Sequence, residues 1–269
     1  MKYHALKRKA FLASAVIAGT AMLFPASCMA APDKDIQTYT DTDFAMDTVV
    51  SETLYTTGGD INSDLTSVLT DVETNLLSWT NDKSQVYEVN ADSGKDTEIS
   101  DELSGYLKRL LKIAKDSDGA FDPTIGKLIR LWDIGGENQR IPEKNEIQEV
   151  LKESGYEKIS LKGNKIHMEK GCSLDLGAAG KGIGCDSLLE YLETQKEVLA
   201  ALINLGGSSV MTYGSKPDGS SWNVAVTDPR AEEEDDYLGV VALNGTEFLS
   251  TSGDYEKYFM KDGVRYHHI

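Results

Sequence analysis

The chain has 269 residues, of which 27 are Lys or Arg and 44 are Asp or Glu, so its formal net charge is −17 at pH 7. Residues 1–30 hold four of the basic residues and no acid, which leaves residues 31–269 with a net charge of −21. A body this acidic excludes nucleic acid as a partner, because phosphate backbones are bound through Lys and Arg. With 40% hydrophobic residues the chain can still bury a core.

The first 30 residues have the order of a secretory signal. A basic segment is followed by an uncharged apolar run at residues 10–24 and then by small residues around Cys28. We therefore predict a signal peptide at residues 1–30 and export to the periplasm or the extracytoplasmic face of the cell membrane. The signal also suits lipidation, so membrane anchoring through Cys28 or through the N-terminal apolar segment stays open. Residues 31–44 are polar and are predicted to form a tether.

Apolar residues that recur with a period of 3.6 predict three helices in the first half of the chain, after a strand at residues 46–55. The first helix is predicted to begin at Asn62 as its cap, and the second to run from about Asp101 to Lys115. The third is predicted to begin at Pro142 and to stop at Gly155. Its inward-facing residues are predicted to be Ile147, Val150 and Leu151.

Hairpins dominate the second half. Strands are predicted at residues 158–161, 165–168, 201–205, 208–213, 222–227 and 238–243, and one helix at residues 181–193. The pairs Asn244-Gly245 and Asp262-Gly263 are typical of two-residue hairpin turns. Because helices fill the first half and hairpins the second, the sequence indicates an α+β fold.

Four short clusters are unusual for a plain scaffold, and we treat them as candidate ligand-binding segments. They are residues 119–126, 174–182, 202–209, and 250–255 together with 266–268. In the first cluster, Asp122 followed by Pro is typical of a helix cap, and the alternative is a carboxylate that faces a ligand. In the second, a helix N-terminus with Lys181 favours a phosphate cradle, and a compact turn is the alternative.

The last two clusters are less specific. Gly206-Gly207 allows close approach of a flat ligand or forms a β-bulge. His267 and His268 are adjacent, so on a strand they point to opposite faces and cannot both bind one metal ion.

In this order and spacing, the clusters resemble the ApbE family, the FAD:protein FMN transferases of bacteria. The motifs that carry the resemblance are Ala45-Met46-Asp47-Thr48, residues 119–124, residues 174–178 with Lys181-Gly182, residues 204–207, residues 250–255 and residues 266–269. The resemblance covers residues 45–269. It implies an ApbE-like (T-fold-like) domain, in which a mixed or antiparallel sheet is flanked by helices.

The activity implied by the resemblance is Mg²⁺-dependent transfer of FMN from FAD onto a threonine hydroxyl of an acceptor protein, with release of AMP. Such acceptors include subunits of membrane redox complexes. Two alternatives stay open. One is an FAD pyrophosphatase that gives FMN and AMP, and the other is a non-catalytic flavin-binding lipoprotein.

The resemblance also implies a set of site residues. FAD would be bound by Met46, Trp79, Ala120, Phe121, Asp122, Asp175, Lys181 and His268, and Mg²⁺ by the backbone carbonyl of Ala178. An acidic body needs local positive charge to hold a pyrophosphate, which favours Lys181. The family continues past the position of Ile269 with an Asp-Pro-x-Thr-Gly turn and with later Asp and Thr metal ligands. We therefore expect the domain to lack its C-terminal part and the candidate catalytic base to lie beyond Ile269.

Overall fold

A computed structural model describes residues 35–230 and 237–269. The predicted signal peptide, with Cys28, and the first residues of the predicted tether lie outside the described residues. Within these two ranges, no helix is both long enough and apolar enough to cross a membrane.

The described chain contains twelve strands and six α-helices. The helices are α1 (Asn62–Asp71), α2 (Gln85–Ala91), α3 (Asp101–Asp116), α4 (Gly126–Trp132), α5 (Lys144–Glu153) and α6 (Gly177–Thr194). The strands are β1 (Gln37–Ala45), β2 (Thr48–Thr56), β3 (Asp96–Glu98), β4 (Ile159–Lys162), β5 (Lys165–Met168), β6 (Val198–Leu205), β7 (Ser209–Gly214), β8 (Trp222–Thr227), β9 (Tyr237–Leu243), β10 (Glu247–Ser250), β11 (Tyr258–Lys261) and β12 (Val264–His267). A π-helical segment, Val72–Leu77, continues α1.

The main sheet has five antiparallel strands in the order β1-β2-β6-β7-β10. A three-stranded sheet has the order β3-β5-β4, and β8–β9 and β11–β12 form separate antiparallel pairs. Helices therefore flank antiparallel sheets, and the predicted α+β fold class is confirmed.

Helices α1 and α6 cover one face of the main sheet. Leu69 of α1 and Leu188 of α6 are fully buried there with Leu54 and Ile203 of the sheet. Removing such side chains from water is the main source of stability, at roughly 1.5–3 kcal/mol for each one. A second cluster lies between α3 and the three-stranded sheet, and Met46 is in contact with both clusters.

The structure corrects the predicted tether, because residues 37–45 form strand β1. Every residue from Gln37 to Ala45 is paired with a residue of β2. The polar composition reflects an exposed edge strand, since most of its side chains face solvent while its backbone completes a ladder.

Two predicted helix ends and one predicted face are also wrong. Asn62 does not cap α1, since its side-chain oxygen accepts no hydrogen bond among the described residues and Ile61 precedes the first helical turn. Pro142 lies just before α5, which begins at Lys144 and buries no residue. Leu151, predicted to face inward, is 47% exposed because α5 lies on the surface.

The pair Asn244-Gly245 turns the chain but does not join a hairpin. The strand before it, β9, pairs with β8, whereas the strand after it, β10, pairs with β7 in the main sheet. By contrast, Asp262-Gly263 connects paired strands, and both residues have the positive φ that such a turn requires.

Helix α6 begins at Gly177, four residues before its predicted start at Lys181. The small residues that suggested a turn form its first turn instead. Further along the helix, close packing requires a glycine: a Cβ on Gly184 would be 2.7 Å from Met46 Sδ and 2.9 Å from Leu69 Cδ2.

Candidate ligand-binding site at the start of helix α6

A strained turn places Met46 beside α6. Met46 and Asp47 form the two-residue turn between β1 and β2, with φ of 54° and 58°. A left-handed conformation is unusual for Met, so the surrounding structure must hold it. The backbone N–H of Met46 donates to Glu73 Oε2 at 2.7 Å, and its side chain packs against the glycines of α6.

Lys181, on the second turn of α6, points into the connection between β6 and β7. Its Nζ donates to the carbonyl of Leu205 at 3.0 Å and to Ser208 Oγ at 2.5 Å. Burial lowers the pKa of Lys181 below its ordinary value, because the charged form loses water. The ammonium is therefore a partly desolvated cation that is held by neutral oxygens.

The glycines after Leu205 leave the space that this arrangement needs. Gly206 has φ of +67°, and a Cβ on it would lie 1.9 Å from Thr48 Oγ1 and 3.4 Å from Lys181 Nζ. Gly207 also has positive φ, and its N–H donates to Asn204 Oδ1 at 2.7 Å. The close approach that glycine allows is therefore made at Gly206 by other parts of the protein, namely Thr48 and Lys181.

The fourth cluster lies beside the third. Thr251 N–H donates to the carbonyl of Ser208 at 2.8 Å, and the hydroxyls of Ser209 and Ser250 share a hydrogen bond of 2.7 Å. These contacts bring residues 250–251 next to the connection that holds Lys181.

His268 reaches the same area through Lys257. The backbone N–H of His268 and its Nδ1 each lie 3.2 Å from the carbonyl of Lys257. Lys257 Nζ in turn lies 2.9 Å from Asp47 Oδ2, so the C-terminal hairpin is joined to the strained turn. The sequence reasoning missed Lys257, which nothing but its positive charge would have indicated.

Asp122 is used inside its own loop. Its Oδ1 accepts hydrogen bonds from the N–H and the hydroxyl of Thr124 at 2.8 and 2.6 Å, and its Oδ2 accepts from the N–H of Tyr156 at 3.1 Å. The prediction of a helix cap is wrong, because α4 begins only at Gly126 and its first turn receives no side-chain hydrogen bond. The carboxylate stabilises the turn at residues 122–124 and joins it to the segment just before β4.

The loop around Asp122 lies directly against the segment that leads into α6. Asp175 N–H donates to the carbonyl of Pro123 at 2.9 Å, and Gly126 N–H donates to the carbonyl of Ser173 at 3.1 Å. Asp175 Oδ1 accepts from the N–H of Gly177 at 2.8 Å. One donor of the expected phosphate cradle is therefore already occupied by a carboxylate of the protein.

The other predicted site residues of these two clusters are Phe121, Ala120 and Ala178. Phe121 is half-buried against the core under α3, and its N–H donates to Ser117 Oγ at 3.1 Å. Ala120 is exposed, and so is Ala178 in the first turn of α6.

Trp79 is an exposed aromatic residue that rests on a cation. The guanidinium carbon of Arg130 lies 4.9 Å from the centroid of the Trp79 ring, and Arg130 Nη2 donates to Ser173 Oγ at 2.5 Å. Burial lowers the pKa of Arg130, and the nearby Asp175 opposes this effect. Arg130 was missed because its position on α4 shows no motif, and only the fold brings it to Trp79.

The predicted site residues therefore form two groups around the first turns of α6. Met46, Lys181 and His268 belong to one group, through the strained turn and the C-terminal hairpin. Asp122 and Asp175 belong to the other, and Trp79 is linked to Asp175 through Arg130.

The expected magnesium site has few protein ligands in the structure. Across residues 35–230 and 237–269, no group of three or more His, Cys, Asp or Glu side chains is arranged to hold a metal ion. The carbonyl of Ala178 is the acceptor that a first-turn helical residue offers to the turn above it. The described residues do not by themselves fit Mg²⁺.

Comparison with known proteins gives a consistent result. The model of the ApbE family matches residues 46–269. An FAD:protein FMN transferase of Treponema pallidum is 32% identical over 210 residues, which cover 72% of this chain and 57% of that protein. One of Klebsiella pneumoniae is 33% identical over 201 residues, covering 72% of this chain and 60% of that protein. The chain thus spans less than two thirds of the length of these curated relatives.

Solved structures agree with the observed fold. The crystal structure of the ApbE protein of Thermotoga maritima has a TM-score of 0.76 at 32% identity, covering 86% of this chain and 75% of that one. The apo form of the flavinyl transferase ApbE of Pseudomonas stutzeri has a TM-score of 0.73 at 27% identity, covering 87% and 73%.

Proposed function

The chain belongs to the ApbE family, and from that premise we propose that it acts in an FAD:protein FMN transferase. The reaction would move FMN from FAD to a threonine hydroxyl of an acceptor protein and release AMP. The acceptor oxygen would form a bond to the FMN phosphorus and lose its proton to solvent, the pyrophosphate bond would break, and AMP would leave with the bridging oxygen.

One observation carries the proposal. In a body of net charge −21, Lys181 is a half-buried cation at the start of a helix, and among the described residues its hydrogen bonds go to a carbonyl and a hydroxyl. A lysine ammonium has three donors that can rotate towards a phosphate oxygen without movement of the backbone. Transfer of phosphoryl-type groups depends mostly on positioning and charge neutralisation, which such a cation supplies.

The other residues would bind and orient the dinucleotide. Trp79 offers an aromatic face for a ring of FAD, and Asp175 lies at the helix start next to Ala178. We also propose Mg²⁺ as the metal, on the family resemblance alone. Its chemistry would be neutralisation of charge on the pyrophosphate.

The cellular setting is part of the same proposal. Residues 1–30 would direct export, and anchoring would use Cys28 or the apolar segment. The acceptor would then be an extracytoplasmic protein with an accessible threonine, such as a subunit of a membrane redox complex.

The test is covalent transfer. The complete protein that contains this chain is mixed with FAD, Mg²⁺ and an acceptor protein that bears the target threonine, and flavin fluorescence is measured on the denatured acceptor. We expect fluorescence that disappears when the threonine is replaced by Ala and that falls in Lys181→Ala. The matched control is Lys112→Ala on the exposed face of α3, where Lys112 pairs with Asp116. Absence of flavin on the acceptor, with FAD bound to the chain, would contradict the proposal.

A further inference from the structure

Glu73 lies outside the set of residues implied by the family resemblance, yet its carboxylate holds one member of that set. It belongs to the π-helical segment Val72–Leu77 that continues α1. Its Oε2 accepts a hydrogen bond from the backbone N–H of Met46 at 2.7 Å, and the two residues are 27 positions apart. Because Glu73 is half-buried, this hydrogen bond is partly shielded from water. It is therefore a tertiary link between the end of α1 and the turn between β1 and β2.

The turn needs such a link because its backbone is strained. Met46 and Asp47 have φ of 54° and 58°, a left-handed conformation that costs free energy in residues other than glycine. Such residues persist only where the surrounding structure fixes them, and they concentrate at ligand-binding and catalytic sites. The ion pair with Lys257 fixes the side chain of Asp47, and Glu73 fixes the backbone of Met46.

The π-helical segment is a second irregular feature at the same place. Ser78 N–H donates to the carbonyl of Glu73 at 2.9 Å, which is a spacing of five residues where an α-helix has four. Turns of this kind are rare and are frequent at functional sites. The chain leaves this turn directly into Trp79, so the segment that holds the strained turn also leads into a predicted FAD residue.

The segment and the turn that it holds both contact α6 beside Lys181. A Cβ on Gly180 would be 3.8 Å from Met46 Cε and 3.7 Å from Leu77 Cδ1, so both side chains pack against this part of the helix. Lys181 is the next residue of α6. Glu73 therefore joins the two groups of predicted site residues, one through its hydrogen bond to Met46 and the other through the chain that continues to Trp79.

From these contacts we infer that Glu73 is a positioning residue of the FAD site. By accepting the N–H of Met46, it keeps the strained turn and the Met46 side chain in the orientation that binds the dinucleotide. Glu73 acts through Met46 and does not itself contact the ligand. The effect on FAD rests on the proposed function, whereas the hydrogen bond can be tested without FAD.

Charge gives this role a distinctive sign. A carboxylate near a pyrophosphate repels it, so its removal would tighten FAD binding if charge were its only influence. Loss of a positioning contact weakens FAD binding instead. The two roles of the same side chain therefore predict opposite changes in affinity.

The test measures the Kd for FAD by equilibrium dialysis, with the complete protein that contains this chain and without an acceptor. We expect Glu73→Ala to raise Kd roughly three- to tenfold, the effect of one lost hydrogen bond. Glu73→Gln removes the same charge but keeps an acceptor oxygen, so it should restore the affinity. Asp71→Ala is the matched control, because it removes a carboxylate from an exposed position on the last turn of α1, and it should leave Kd unchanged.

Hydrogen exchange of the peptide that contains Met46 is measured without FAD. Exchange should be faster in Glu73→Ala than in the wild type, and unchanged in Glu73→Gln and Asp71→Ala. Thermal melting checks that the variants are folded, and Glu73→Asp, whose shorter side chain withdraws the acceptor, replaces Glu73→Ala if that variant is unfolded.

The inference is overturned if exchange at Met46 is the same in Glu73→Ala and the wild type. It is also overturned if Glu73→Ala binds FAD as tightly as the wild type or more tightly, if Glu73→Gln is as weak as Glu73→Ala, or if the wild type binds no FAD. Flavin on the acceptor is not measured in this experiment. Failure of transfer with FAD still bound would therefore contradict the proposed function and leave the result for Glu73 standing.

Discussion

Lys181 and Arg130 are the two half-buried cations near the start of α6, and the protein holds them in different ways. Lys181 donates to a carbonyl and to a hydroxyl, both through one rotatable ammonium. Arg130 is fixed by a hydrogen bond to Ser173 and by the ring of Trp79, and its Nη1 is buried without a partner among the described residues. The ammonium of Lys181 can therefore rotate from these oxygens to another acceptor, whereas the planar guanidinium of Arg130 keeps Trp79 and Ser173 in position.

The largest effect should come from the backbone that makes room for Lys181. Gly206→Ala forces a Cβ into Thr48 Oγ1 at a positive φ, so we expect the free energy of unfolding to fall by about 2–4 kcal/mol. Gly207→Ala is the matched control, since its φ is +74° but no atom lies within 4 Å of the added Cβ. It should cost only about 1–2 kcal/mol. Urea unfolding measures both, and equal losses would show that the space around Lys181 is not tight.

The next effect concerns the rotatable cation itself. We expect Lys181→Ala to weaken FAD binding by about 1.5–3 kcal/mol, roughly 10- to 100-fold, because a charge-assisted contact is lost. Equilibrium dialysis with FAD measures the change, and Lys112→Ala is the control. Unchanged affinity would remove Lys181 from the site and make it a structural lysine.

Arg130→Ala should change the position of the Trp79 ring more than it weakens FAD binding through the loss of a charge. We expect a loss of about 1–2 kcal/mol of stability, from the hydrogen bond to Ser173 and the cation–π contact. The tryptophan emission should also shift, because the Trp79 ring gains contact with water. A shift of the same size in a Trp79→Phe background would assign the emission change to another tryptophan and contradict this reading.

The smallest effect is a difference in alkaline sensitivity. Burial lowers the pKa of Lys181, so its charge is lost at a pH below the ordinary lysine value of about 10.4. FAD affinity should therefore fall as pH rises through that lowered pKa. Folding responds with the opposite sign: the unfolded chain holds this proton more tightly, so the cost of burying the charge disappears as pH rises. Lys181→Arg should extend FAD binding to higher pH, and an identical pH profile would contradict the assignment.

The candidate site could be predicted from the sequence in part. Short motifs were enough to select Lys181, Gly206 and residues 250–251, and the structure brings these segments together. Local patterns failed where tertiary contacts override them. The small residues at the start of α6 suggested a turn, but they form the first turn of the helix, which begins at Gly177. Asp122 suggested a cap, but its oxygens bind Thr124 and a segment more than thirty residues away.

By itself, the sequence determined the α+β class, most of the elements, the acidity of the body and the family resemblance, since these depend on composition, periodicity and motif order. Only the tertiary structure decided which cations lie beside the candidate site residues. Arg130 meets Trp79, and Lys257 meets Asp47, through residues that are far apart in the chain. Such contacts arise from the packing of α4 and of the C-terminal hairpin, which no local pattern encodes. The physical reason is that burial and long-range pairing, rather than residue type, decide whether a charged side chain is solvated, used within the fold or available to a ligand.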